Sequence, residues 1–398
     1  YYGEGQSPFV VGIKISPAQI DADLKRLANI SDCVRTYSVG QGLDYVPEAA
    51  SKIGLKVYLG AWVGWTNADN EAEIKLAVKR ANQYPDTIKA LIIGNEVFLR
   101  QEQTPATMHR YLRYAKSHTK IPITYAEVWE FWNKHQDTAQ YVDFVTVHIL
   151  PYWEDDPVAI DNAVNHASRI MNQLAVTFKK PILIGETGWP SVGRQRNESK
   201  PSLVNQARYV REFLQMAHKK NWQYNIIEAI DQPWKRVLEG TVGGYWGVYD
   251  TNLQPKFSLS APVAERVDND LPIYLSLIGA MLFIALALFK HEKRVAVLFG
   301  NACIGATLCI VGMLQYDYLI AACRDKSEWM ALAGVAVLGS LAIISMPLHL
   351  AKQSVSSYAM IKAANYALII AAIIASYLIF VDGRYRDCLL YTSDAADE

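Results

Sequence analysis

The chain has 398 residues, 51% of them hydrophobic and 20% charged, and its 39 Lys and Arg balance 39 Asp and Glu. A net charge of zero gives no electrostatic reason for nucleic acid as a partner, and none is expected. Of the five cysteines only Cys33 precedes residue 300, so the amino-terminal part has no intrachain disulfide, and metal-type cysteine spacing is absent.

In chain order, short β-rich apolar runs recur: "FVVGIKIS" at 9, "CVRTYSV" at 33, "KVYLGAWV" at 56 and "ALIIGNEV" at 90. "PITYAEVW" at 122, "VDFVTVHILPY" at 142, "PILIGETGWP" at 181 and "YNIIEAIDQPW" at 224 come next. Between them lie stretches such as "SPAQIDADLKRLANI" and "NEAEIKLAVKRANQY". Their apolar residues recur at spacings of three and four, and they open on Ser16 and Asn70 as expected helix caps. Eight strand–helix units in this length predict an α/β fold, a (β/α)8 TIM barrel. An open doubly wound sheet is the alternative, but no glycine-rich phosphate loop comes after the first run.

Composition changes near residue 268. Beyond it lie four long apolar segments, at 272–289, 295–314, 329–350 and 364–381, each long enough for a transmembrane helix. The basic loop "KHEKR" at 290–294 and the acidic "ERVDND" at 265–270 place the preceding domain outside the cytoplasm by the positive-inside rule. The segments hold few charges, with Asp317 and Arg324 expected near or beyond span ends, so no ion or substrate path through them is evident. The expected domains are a barrel at 1–268, a membrane region at 269–387 and a tail at 388–398. That tail, "CLLYTSDAADE", resembles translated sequencing adaptor and is set apart from fold reasoning. The first residues, "YYGEGQ", contain no export signal, and an upstream segment is expected.

A barrel keeps its chemistry where the strands end. The predicted ends carry Arg35 and Tyr37, Asn95 and Glu96, Glu127 and Trp129, His148 and Tyr152. The last two carry Glu186 with Trp189, and Glu228, Asp231, Gln232 and Trp234. Glu96 alone reads equally as a helix opening on a Gly94–Asn95 turn. Glu186 changes that reading, because the fourth and seventh strands face each other across the mouth of an eight-stranded barrel. Paired carboxyls there suit glycoside hydrolysis, and a separation of about 5–5.5 Å means a retaining reaction. Flat side chains on the same rim, Tyr37, Trp62, Trp65, Trp129, Trp132, Tyr152, Trp153, Trp189, Trp234 and Trp246, suit pyranose faces. The aromatic stretches "VWEFW" at 128–132 and "YWEDD" at 152–156 are the expected acceptor contacts.

Over residues 8–262 the motifs "VRTYS", "IIGNEV", "TYAEVW", "GETGWPS" and "DQPWK" resemble, in the same order, glycoside hydrolase family 17, the β-1,3-glucanases and β-1,3-glucanosyltransferases, in its bacterial branch. The resemblance implies retaining chemistry without metal or cofactor, Glu96 as general acid/base and Glu186 as nucleophile. It implies that Asn95 binds the hydroxyl beside the reacting carbon and that Tyr37, Tyr152 and Trp234 line the subsite of the attacked glucose. Glu127, Glu228 and Gln232 would support them, and the negative charge of Glu186 would help Glu96 keep its proton. β-Glucan and the lipid bilayer are the expected partners, at a bacterial plasma membrane with the barrel outside. Fusion to a glucan synthase is expected only by analogy. The alternatives are a membrane-tethered glucan-binding module without activity, and a helical transporter or synthase to which the barrel is accessory.

Overall fold

The computed structural model describes residues 2–3, 5–266, 270–289, 291–323, 325–352 and 355–381, with the side chains of the last two helices described in part. Arg324 and the tail at 388–398 therefore lie outside the described residues. The chain forms two compact units, Tyr1–Glu265 and Arg266–Glu398.

In the first unit seven strands lie side by side in chain order: β1 (Cys33–Arg35), β2 (Lys56–Ala61), β3 (Ile88–Asn95), β4 (Ile123–Val128), β5 (Val145–His148), β6 (Ile182–Thr187) and β7 (Gln223–Ile226). Every neighbouring pair is parallel. Helices α1 (Pro17–Leu27), α2 (Val46–Ile53), α3 (Asn67–Gln83), α4 (Pro105–His118), α5 (Trp129–Lys134), α6 (Ile160–Thr177), α7 (Leu203–Lys220) and α8 (Arg236–Glu239) lie before, between and after them. The result is a nearly closed parallel barrel. The eighth strand, expected at 9–16, does not form. Phe9, Val10 and Val11 are exposed and Gly12 has φ +78°, so the run folds into turns, and Ile15 N donates to Gln41 O at 2.9 Å.

Helix ends obey local chemistry. Ser16 Oγ accepts from Gln19 N with Pro17 at the first turn, and Thr104 and Ser202 cap α4 and α7 in the same way. Asn70 does not cap: α3 begins three residues earlier, and buried Asn70 instead bonds both backbone groups of Gly64 at 2.7 and 2.8 Å.

Side chains alternate across each strand. Tyr58, Ala90, Ile92, Ala126 and Leu183 pack together in one small cluster, the barrel interior. Val57, Leu59, Leu91, Ile93, Ile123, Tyr125, Val145, Val147 and Ile184 join the larger core beneath the helices. Two bulges break this alternation near the carboxyl ends. In β3 the register moves from Ile92↔Thr124 to Asn95↔Ala126, and in β6 from Val147↔Ile184 to His148↔Glu186. Each extra residue re-aims the side chains after it, bringing Asn95 and Glu186 to the interior face. Gly94 makes the first bulge possible: its φ is +82°, and a Cβ there would lie 2.9 Å from Val97 Cγ2 and 3.0 Å from Met108 Cε.

The second unit contains α9 (Leu271–Phe289), α10 (Val295–Ala322), α11 (Lys326–Lys352) and α12 (Val355–Val381). Among the described residues α9 and α10 are long and apolar enough to cross a membrane. The other two expected spans fall in α11 and α12, whose side chains are described in part. Helix α10 runs past the expected second span, so Asp317 lies within it, paired with Arg266 at 2.5 Å. α9 and α10 approach closely where Gly279 faces Gly305; a Cβ on either would lie 2.1–2.2 Å from the other's carbonyl oxygen.

Candidate active site

Glu96 does not open a helix. It comes directly after β3 with φ +50°, a backbone region that non-glycine residues seldom occupy, and Glu96 N still donates to Ala126 O at 2.8 Å. Its side chain meets His148 from the end of β5, with Nδ1 2.7 Å from Glu96 Oε1. On the far side, His148 Nε2 is 3.4 Å from Glu186 Oε1. A carboxylate oxygen of Glu96, a ring nitrogen of His148 and a carboxylate oxygen of Glu186 all lie within 4.8 Å of one another. The two acids therefore share the mouth of the barrel.

Arg35, from the end of β1, holds this arrangement. NH1 donates to Gly185 O at 2.8 Å, to Glu186 Oε1 at 3.3 Å and to His148 Nε2 at 3.1 Å, while NH2 donates to Asn95 Oδ1 at 2.5 Å. A guanidinium only donates, so Nε2 accepts and the ring proton sits on Nδ1, directed at Glu96. Tyr37 OH donates to Glu186 Oε1 at 2.8 Å. Burial, reinforced by the charge of Glu186, raises the Tyr37 hydroxyl well above its ordinary pKa, so it remains a donor. Glu96, His148 and Glu186 could between them ligate a metal ion, but the fixed charge of Arg35 beside two of them opposes a cation.

The proton expected on Glu96 is not favoured. Burial alone raises its pKa, but the His148 hydrogen bond, with the charges of Arg100 and Arg35, outweighs burial and holds it below the ordinary carboxylate value. Arg100 NH1 lies 3.7 Å from Glu96 Oε2. Arg35 lies against Glu186 and neutralises the charge that would have kept the proton in place.

Several residues expected to touch substrate have other partners. Glu127 is 0% exposed. It pairs in register with Val147, on the outer face of the barrel, and accepts from Tyr125 OH, Phe98 N, Leu99 N and Val128 N at 2.5–3.3 Å. Burial, then the charge of Glu96, pushes its pKa up to about 7. Its carboxyl thus fixes the turn just beyond Glu96. Trp189 and Tyr152 are buried too, their polar atoms donating to Lys200 O and Arg194 O, and side chains without exposed surface present no face to a sugar. Trp132 and Trp246, read as rim aromatics, are likewise buried.

Half-buried Trp129 donates to Glu154 Oε2 at 3.0 Å. Trp234 donates to Gln232 Oε1 at 2.7 Å and lies between the edges of Tyr2 and Phe9. Glu228 pairs with Lys235 Nζ at 2.7 Å; burial raises its pKa, opposed by that lysine. Asp231 holds Lys256 and Gly247 N, with a pKa raised by burial to about 6.

Arg35 and His148 were expected on the rim but given no role, and Glu73 was not expected at all. The first two stand at predicted strand ends, where position alone marked them. Glu73, inside α3, binds Ser38 OH, Val39 N and Trp62 N through one oxygen at 2.6–3.3 Å, and no local pattern marks it.

The profile of the BtgE/BtgC glycoside hydrolase domain matches residues 12–247. Glucan 1,3-beta-glucosidase of Arthroderma benhamiae is 26% identical over 295 residues, 67% of this chain and 94% of that protein. A probable beta-glucosidase, btgE of Aspergillus fumigatus, is 26% identical over 226 residues, 55% of this chain and 39% of its own length. The crystal structure of a glycoside hydrolase family 17 beta-1,3-glucanosyltransferase from Rhizomucor miehei superposes with a TM-score of 0.56 at 24% identity, over 61% of this chain and 92% of that one. That likeness is one of fold. With the profile matched over more than half its length, and an acid pair at the mouth of a parallel barrel, the chain belongs to the BtgE/BtgC glycoside hydrolases and is an enzyme.

Proposed function

We propose that this is a retaining, β-1,3-glucan-active glycosidase or transglycosylase tethered to a membrane. The observation that carries the proposal is the approach of Glu96 and Glu186 within 4.8 Å, bridged by His148. Glu186 attacks the anomeric carbon while Arg35 and Tyr37 orient its carboxylate. The bond to the leaving oxygen breaks as that oxygen takes a proton from Glu96. His148 occupies Oε1, so Oε2 carries this proton. A neutral sugar filling the mouth adds desolvation without adding charge, which raises the pKa of Glu96 toward the protonated form. Water or a sugar hydroxyl then gives its proton to Glu96 and its oxygen to the anomeric carbon, freeing Glu186.

Asn95, with Oδ1 held by Arg35, offers its Nδ2 to the hydroxyl beside that carbon. Tyr37 and Trp234 border the attacked glucose, with Trp129 beyond. Gln232 orients Trp234, and Glu228 acts through Lys235. Glu127, Tyr152 and Trp189 act as positioning residues from below the rim. An inactive glucan-binding module has no need of two carboxyls at this spacing.

The apolar helices α9 and α10 support membrane attachment, with the basic loop between them on the cytoplasmic side and the barrel outside. A bacterial envelope and association with a glucan synthase rest on sequence resemblance, since the curated relatives named above are fungal. Two substitutions test the pair. Glu186→Ala is expected to abolish turnover, with azide restoring it and giving inverted product. Glu96→Ala is expected to lose about 10²–10⁴-fold on β-glucan yet keep activity on substrates with good leaving groups. Wild-type rates in either variant would refute the assignment.

A further inference from the structure

The aromatic and acidic stretches at 128–132 and 152–156 meet at one carboxylate. Glu154, in the loop after β5, accepts the Trp129 indole N–H on Oε2 at 3.0 Å and has Nε2 of His166, from α6, 2.9 Å from Oε1. Behind the ring, Arg169 NH2 lies 2.7 Å from His166 Nδ1. A guanidinium only donates, so Nδ1 accepts and the ring proton sits on Nε2, directed at Glu154. Both oxygens of Glu154 thus face donors, which favours its ionised form. Burial would raise its pKa, but the His166 and Trp129 hydrogen bonds hold it below the ordinary carboxylate value.

A second acid joins this carboxylate. Glu130, the residue after Trp129 in α5, is hydrogen-bonded side chain to side chain with Glu154. Two carboxyl groups bond each other only across a proton. Glu154 already serves two donors, so the proton belongs to Glu130. Burial, then the charge of Glu154, pushes the pKa of Glu130 up to about 8, and the proton is held at neutral pH.

The groups around the pair do not offset a second negative charge. Arg169 fixes His166 as a neutral donor and opposes a second ring proton. Arg196, from the loop after β6, is turned to the backbone, where NH1 donates to Tyr152 O at 2.7 Å and Glu154 O at 3.3 Å. Asp155 adds charge of the same sign. The Tyr209 hydroxyl of α7, within range of Glu154, is kept neutral by burial.

We propose that Glu130 and Glu154 share one proton as a latch between α5 and the loop after β5, and that this latch sets the orientation of the Trp129 indole on the rim. When the proton leaves for solvent, two carboxylates at hydrogen-bonding distance repel and the contact opens. Trp129 is bonded to one acid and adjacent in sequence to the other, so its indole moves with them. The latch stands on these contacts; its consequence for glucan binding rests on the functional reading above.

The test uses the full chain in detergent, labelled with 5-fluorotryptophan, and Trp129→Phe assigns the Trp129 fluorine resonance. That resonance is expected to shift as pH rises through about 8. It should stay in place in Glu130→Gln, whose amide still donates but does not titrate, and in Glu154→Gln. A wild-type resonance that does not titrate, or one that titrates equally in Glu130→Gln, would overturn the latch. Binding of β-1,3-gluco-oligosaccharides is followed in Glu96→Gln, which removes the catalytic acid's own titration and stops turnover. Affinity is expected to fall about tenfold over the same range and to become independent of pH once Glu130→Gln is added. Affinity that ignores pH while the resonance titrates would overturn the link to substrate. Absence of binding at every pH would overturn the glucan reading, and the resonance would still decide the latch.

Discussion

Glu96 is the acid whose resting neighbours favour its anion, and this sets a pH signature. Catalysis needs Glu96 protonated and Glu186 ionised, so the basic limb of kcat/KM tracks Glu96 in the free enzyme. With its pKa held down by His148, Arg100 and Arg35, that limb falls at acidic pH. Removing one of the cations should raise the pKa. Arg100→Gln is expected to move the basic limb upward by about one pH unit, and a limb that stays in place would separate Arg100 from the acid. The depressed carboxylate also adds stability above its unfolded value, lost as pH falls through the lower folded one. Glu96 and Glu186 were legible as a pair because they stand at the ends of runs expected to face each other across the mouth. Arg35 and His148 stood at equally visible ends and were placed on the rim, but without a role. Their role depends on where two other strands end, which no single run encodes.

Among the elements, the two bulges decide which side chains reach the mouth. Strict alternation from Ile184 would turn Glu186 away from the interior; the extra residue in β6 brings it back beside His148. A sequence read with period two has no means of placing that extra residue, and the same holds for Asn95 after Gly94. Gly94→Ala should therefore injure both fold and function. At φ +82°, with a side chain 2.9 Å away, it is expected to cost about 1–3 kcal/mol and to lower kcat by displacing Glu96. Thermal unfolding and steady-state rates check both, and an unaltered melting temperature would contradict the bulge geometry. The expected first strand failed for a related reason. "FVVGIKIS" has strand composition, but Gly12 at positive φ breaks it and its valines remain in water.

For the whole molecule, composition alone puts a break near residue 268, and the chain divides into compact units at Tyr1–Glu265 and Arg266–Glu398; an unbroken apolar stretch about 20 residues long is what a membrane span needs. Eight units in 260 residues likewise pointed to a barrel, although seven strands form. What composition could not supply was which tryptophans lie open: four of the ten expected rim aromatics are buried, and burial depends on packing between distant loops. If α9 and α10 anchor the chain, the full protein should stay in the membrane fraction through alkaline carbonate washing and dissolve only in detergent. Release by the wash would contradict the anchor. The most direct test of the catalytic claim monitors the anomeric configuration of the first product by proton NMR, as the full chain in detergent acts on β-1,3-gluco-oligosaccharides. Initial β product, absent with Glu186→Ala, is the result expected of a covalent intermediate on Glu186; initial α product would mean inversion and contradict it.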